Sequence, residues 1–112
     1  MQTVVELPLY RKRAESLLSD QEQRDIISHL AENSKAGVLI RETGGVRKLR
    51  WRREGTGKSG GVRVIYFHRD LNIPLFLLTV YGKGEQDNLT KAQCNQMKKL
   101  TNVLVSEWEK II

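Results

Sequence analysis

Three strand-like runs, "VRKLRW" (46–51), "VRVIYF" (62–67) and "LFLLTVY" (75–81), follow one another with only short, turn-rich stretches between them. Runs joined in this way read as an antiparallel meander. Alternation then assigns faces. In "KLRWR", Leu49 and Trp51 point one way while Lys48, Arg50 and Arg52 point the other. In the next run Val62, Val64 and Tyr66 share one face, and Arg63, Ile65 and Phe67 share the opposite one. "LFLLTVY" is the most apolar of the three and reads as the central strand.

The meander is flanked by helical signals. "TVVELPLY" (3–10) opens with a β-branched run that Pro8 ends, giving a short first strand, and "LYRKRAESLL" reads as helix. A second helix is expected from Ser19 to about Asn33. Its start carries the capping box "SDQE", and Ile26, Ile27, Leu30 and Ala31 recur at helical spacing. "NSKAG" breaks that pattern. A last helix begins at "TKAQ", with Thr90 and Gln93 as a second capping box. Met97, Leu100, Leu104, Trp108 and Ile111 then form a stripe expected to pack on the sheet. The expected order is β-α-α-β-β-β-α, an α+β fold in a single domain over residues 1–112.

Charge is the second constraint. Between Val46 and Arg63 lie seven basic residues, Arg47, Lys48, Arg50, Arg52, Arg53, Lys58 and Arg63, and one acid, Glu54. Seven minus one equals the +6 of the whole chain, so the remainder is balanced. Localised basicity with a pI near 9.7 favours a polyanion as partner, nucleic acid first. No apolar run approaches a membrane span, and the start lacks the pattern of a secretory signal. One cysteine, Cys94, and two histidines suit neither a disulfide nor a zinc site, and the chain reads as cytoplasmic with no cofactor or metal.

Alternate cations on one strand stand roughly 6.6–7 Å apart, close to successive phosphates in an extended nucleic-acid strand. Ordinary solvated strand residues are the plainer account, but adjacent like charges repel, and a bound anion relieves that repulsion. "GKSGG" (57–61) lacks the spacing of a Walker A loop. Arg63 behind it is a candidate phosphate or transition-state clamp. "TVYGKGE" (79–85) places Tyr81 and Lys83 at a strand end, as working residues or as an interfacial aromatic and a solvated lysine. His68, also at a strand end, is more simply structural, and Trp51 is core, with base stacking as its second use. Asp70 starts a turn, and His29 reads as a surface residue. No Ser-His-Asp or H-E-x-x-H pattern is present. A site of Lys, Arg and Tyr suits RNA cleavage by the strand's own 2′-hydroxyl, where fixed cations stabilise the charge gained by the phosphate. Lys48, between Arg47 and Arg50, is the candidate base, since neighbouring like charge disfavours a protonated lysine.

"TGGVRKLR" (43–50), "GKSGGVRVIYF" and "LFLLTVYGKGEQDNLT" (75–90), in this order and spacing, resemble the RelE-like toxins of bacterial toxin–antitoxin pairs, particularly the HigB branch. The resemblance implies a microbial-RNase-like fold, with helices on a small twisted antiparallel sheet. It also implies an endoribonuclease that cuts mRNA in the ribosomal A site and is silenced by a cognate antitoxin, here expected to contain a helix-turn-helix. By position, Lys48 and Arg50 inherit the catalytic basic strand, Arg63 the hold on the scissile phosphate, and Lys83 the "GK" closing the last strand. Arg47, Arg52, Arg53, Lys58 and Tyr66 are the expected contacts to RNA and the ribosome. The chain departs from the pattern at Gly84, where some members carry arginine, and at Leu89-Thr90, where some place tyrosine. The histidine and tyrosine pair of another branch is also missing, so Tyr81 or Tyr66 would have to supply stacking or proton transfer. The competing reading is a non-catalytic RNA- or DNA-binding module using the same basic sheet face.

Overall fold

A computed structural model describes residues 1–52, 61–86 and 88–111. The elements are β1 (Val4–Glu6), α1 (Pro8–Leu17), α2 (Asp20–Glu32), β2 (Val38–Leu39), β3 (Val46–Trp51), β4 (Val62–Phe67), β5 (Leu75–Gly82) and α3 (Lys91–Ile111), all expected but β2. Pro8 sits in the first turn of α1, where its missing N–H has no partner to lose. Ser19 caps α2 reciprocally with Glu22. Thr90 and Gln93 do the same ahead of α3, the Thr90 N–H donating to Gln93 Oε1 at 2.9 Å.

The sheet order is β1-β5-β4-β3-β2. The β3–β4–β5 meander is antiparallel as expected, but two features go beyond the sequence reading. β2 adds a two-residue edge against β3. β1 lies parallel to β5, with Val4 opposite Leu75 and Glu6 opposite Leu77, so the sheet is mixed and not purely antiparallel.

Each face of the sheet has its own core. Leu49, Val62, Val64, Tyr66, Leu75, Leu77 and Val80 meet Tyr10, Ala14, Leu18, Ile26 and Leu30 of the N-terminal helices and their connection. Val46, Ile65, Phe67, Phe76, Leu78 and Tyr81 face the other way, where Met97, Leu100, Leu104 and Trp108 of α3 cover them. Ile111, the last of the expected stripe, is 73% exposed and lies outside that core. Trp51 packs on the first core and meets the ring of His29 edge-on at 5.6 Å, so His29 is less a surface residue than a neighbour of the core.

Phe76, Leu78 and Tyr81 can share a face only because β5 carries a bulge. Ile65 pairs with Thr79 while Tyr66 pairs with Leu77, which leaves Leu78 as the additional residue. Strict alternation from Phe76 would turn Tyr81 toward the N-terminal helices. The bulge shifts the phase by one and brings Tyr81 to the α3 side.

The far end of the sheet is tied down by polar contacts. His68, 7% exposed, shares a 3.0 Å hydrogen bond with Gln2 Oε1. Gln2 Nε2 donates to the carbonyls of Asp70 and Ile73. Asp70 starts its turn as expected, accepting from the Asn72 N–H at 2.8 Å. Burial, with the charges of Arg47 and Lys35, holds the His68 imidazole below its ordinary 6.5. A depressed histidine means that the unfolded chain binds the proton more readily, so the associated stability is present above about pH 6.5 and is lost as pH falls. Thermal melts should therefore show a falling Tm from pH 7.5 to 5.5, and His68→Gln should flatten that fall. Equal pH sensitivity in both proteins would reject this account.

Candidate active site

Register places the basic residues. Arg50 pairs with Arg63, and Arg63 pairs with Tyr81, so these three stand in one row across β3, β4 and β5 on the α3 side of the sheet. One step along, about 7 Å away, Lys48 pairs with Ile65, which pairs with Thr79. Arg50 is exposed, whereas Arg63 is 7% and Tyr81 4% exposed. The rim thus carries an exposed cation and the floor a buried one. Two arginines opposite each other on adjacent strands, with Cβ atoms about 5 Å apart, raise the local positive potential. Their planar donor forks match phosphate oxygens.

The end of β5 supplies the rest. The Lys83 N–H donates to the Gly61 carbonyl at 3.1 Å, which continues the β4–β5 ladder past Gly82. Arg63 is drawn to the same point: a Cβ on Gly61 would lie 3.7 Å from Arg63 Nη1. Lys83 itself is exposed. The chain then returns over the sheet toward β3, where Lys48 Nζ donates to Asn88 Oδ1 at 2.7 Å. Gln86 Nε2 donates to the Asn88 carbonyl and to Gln93 Oε1, joining this segment to the cap of α3. The helix that packs on this face therefore starts at the rim of the row.

The chain belongs to the RelE toxin family. A family model describing the RelE toxin of the RelE/RelB toxin–antitoxin system matches residues 9–111, nearly the whole length, and the protein is accordingly the toxin of a toxin–antitoxin pair. In this member of the RelE toxin family, Lys48, Arg50, Arg63, Tyr81 and Lys83 gather at one end of one sheet face. Arg52 is exposed immediately after β3. Arg53 and Lys58 lie outside the described residues.

Arg47 and Tyr66 are not brought to this face. They pair with each other on the side of the N-terminal helices. Arg47 Nη1 donates to the carbonyl of Gly37 at 2.8 Å and, more weakly, to that of Lys35. With Arg47 turned away, the cation sharing a face with Lys48 on β3 is Arg50. Tyr66 is fully buried. Its hydroxyl donates to the Ser34 carbonyl and accepts from the Gly37 N–H, both at 2.8 Å. Burial raises its pKa, only partly offset by the Gly37 hydrogen bond and the charge of Arg47. Gly37 is glycine for want of room: a Cβ there would stand 2.8 Å from the Tyr66 ring and 3.0 Å from the Lys48 backbone.

His68 follows the end of β4, whereas Arg63 lies near its start, and His68 is thus removed from the row. A cavity of about 650 Å³, lined by Gly44, Phe67, Arg69, Thr101 and Glu109 among others, likewise lies toward that far end and shares no residue with the row. Sequence reasoning missed Asn88 as the partner of Lys48 and Arg13 as a partner of β5. Neither has a local signature, because each meets the site through a contact more than 35 residues away.

Proposed function

We propose that this toxin is a ribosome-dependent endoribonuclease that cuts mRNA in the ribosomal A site. The observation that carries the reading is the lateral row Arg50–Arg63–Tyr81 with Lys48 one step along the same face. Arg63 and Arg50 hold the scissile phosphate and stabilise the charge it gains in the transition state. Lys48 accepts the proton of the attacking 2′-hydroxyl, and the 2′-oxygen forms a bond to phosphorus as the bond to the 5′-oxygen breaks. Tyr81, the tyrosine on this face, supplies the proton to the departing oxygen, with Lys83 beside it. The products are a 2′,3′-cyclic phosphate and a 5′-hydroxyl. Charge neutralisation comes from guanidinium and ammonium groups, so the scheme uses no metal. A ribosome that holds the mRNA in line would supply the positioning this sparse site lacks by itself.

Arg52, with Arg53 and Lys58 in the following segment, supplies further cations for mRNA and rRNA. The reading extends to one domain over residues 1–112 working in the cytoplasm, to the HigB branch on the strength of the quoted motifs, and to a cognate antitoxin with a helix-turn-helix. Primer extension on mRNA from cells after brief induction tests it. In-frame cuts confined to translated codons, and absent with Arg63→Ala, are expected. Intact message with undisturbed translation would leave a binding module. In that case single cation removals would each weaken RNA binding and lower the salt slope by about 0.7 to 0.9.

A further inference from the structure

β5 has an edge problem at the end that carries the site. β1 pairs with it only from Leu75 to Leu77. From Val80 onward, no strand among the described residues lies along that edge, yet Tyr81 and Lys83 sit there. Two side chains take the place of the strand. Arg13 of α1 donates from Nε to the Val80 carbonyl at 2.6 Å. Its Nη2 forms an ion pair with Glu85 Oε2. The other oxygen of Glu85, Oε1, accepts the Gly82 N–H at 3.0 Å. Residues two apart on a strand turn their backbone groups to the same edge. Arg13 and Glu85 thus provide one donor and one acceptor in the places a paired strand would fill, and the ion pair links the two.

We propose that Arg13 and Glu85 are positioning residues for cleavage, acting through Tyr81 and Lys83; this rests on the nuclease reading above. On the opposite edge, the Lys83 N–H is fixed by Gly61, and the Val80 to Glu85 stretch is thereby held from both sides. Glu85 is pulled well into its charged form, first by the Gly82 N–H and then by Arg13. Without the clamp, the strand end frays at Gly82, and Tyr81 and Lys83 lose their aim at the phosphate beside Arg63. Arg13 and Glu85 are both partly exposed, and neither belongs to a hydrophobic core.

The test uses the full chain, ribosomes carrying a defined mRNA, and two readouts. Arg13→Ala is expected to slow single-turnover cleavage by about 10- to 100-fold, with ribosome affinity and Tm nearly unchanged. Amide exchange at Gly82 and Lys83 should quicken. In a Tyr81→Phe, Lys83→Ala background, Arg13→Ala should cost far less than it does alone, because both groups it aims are gone; a general structural defect would cost the same in both. Glu85→Ala should repeat the pattern. Faster exchange with unchanged cleavage by Arg13→Ala would overturn the inference, as would additive losses in the combined variant or unaltered exchange. A wild-type chain that binds ribosomes but never cuts would bring down the nuclease reading and this inference with it. A cutting wild type matched by an equally fast Arg13→Ala would bring down the clamp alone.

Discussion

Arg63→Ala is expected to slow mRNA cleavage on ribosomes by about 100- to 1,000-fold, the usual cost of losing one fixed donor to transition-state charge. Affinity for the ribosome should fall only modestly, because Arg50, Arg52 and the other cations still meet phosphate. The asymmetry follows from burial. Arg63 is 7% exposed on the central strand of the meander, flanked by Arg50 and Tyr81, so its head group is held in one place before substrate arrives. Arg63→Lys keeps the charge but loses the planar fork, and should fall between wild type and alanine. Single-turnover rates and equilibrium binding, measured on the same preparations, separate the two quantities. Equal losses in rate and affinity would mean that Arg63 binds substrate and transition state alike, and would remove it from the chemistry.

Tyr66→Ala should have the largest effect on folding. It empties a fully buried aromatic site, at a cost of about 3–5 kcal/mol. It also leaves the Gly37 N–H and the Ser34 carbonyl without the hydroxyl that serves both. Against the 5–15 kcal/mol that holds a typical domain together, such a loss leaves little in reserve. Tyr66→Phe isolates the polar share, about 1–3 kcal/mol, visible as a lower denaturant midpoint. Cleavage per folded molecule should be unchanged in the phenylalanine variant. A drop in cleavage without a drop in stability would return Tyr66 to the RNA-contacting role that its place in the sequence suggested.

The contrast between Arg63 and Tyr66 shows what the chain discloses before it is folded. Signals that act within one turn or one strand were readable. Both capping boxes formed, and the alternation in β3 and β4 sorted Leu49, Trp51, Val62 and Val64 from Lys48, Arg50 and Arg63. That same alternation sets Arg47 beside Leu49 and Tyr66 beside Val64, but a count of charges along the chain is blind to faces. What could not be read depends on partners far away. The parallel pairing of β1 requires β5, some seventy residues on. β2 is two residues long and exists because β3 offers it an edge. The bulge at Leu78 has no marker such as glycine, and it alone decides that Tyr81 lies beside Arg63. Asn88 and Arg13 reach the site from other elements for the same reason: their role is set by tertiary proximity.

The parallel strand pair has a consequence for how the protein comes into being. The Leu75 N–H donates to the Thr3 carbonyl, the Leu7 N–H to the Leu77 carbonyl, and Gln2 reaches Asp70 and Ile73. The opening residues of the chain thus have no sheet to join until the seventies have been made. Such long-range closure is slow, and little favours it before both partners exist. A chain halted before residue 75 lacks β5, the strand that β1 joins, and its Arg63 has no Tyr81 beside it. A ribosome making this protein must therefore finish most of the chain before the row on the sheet can exist at all.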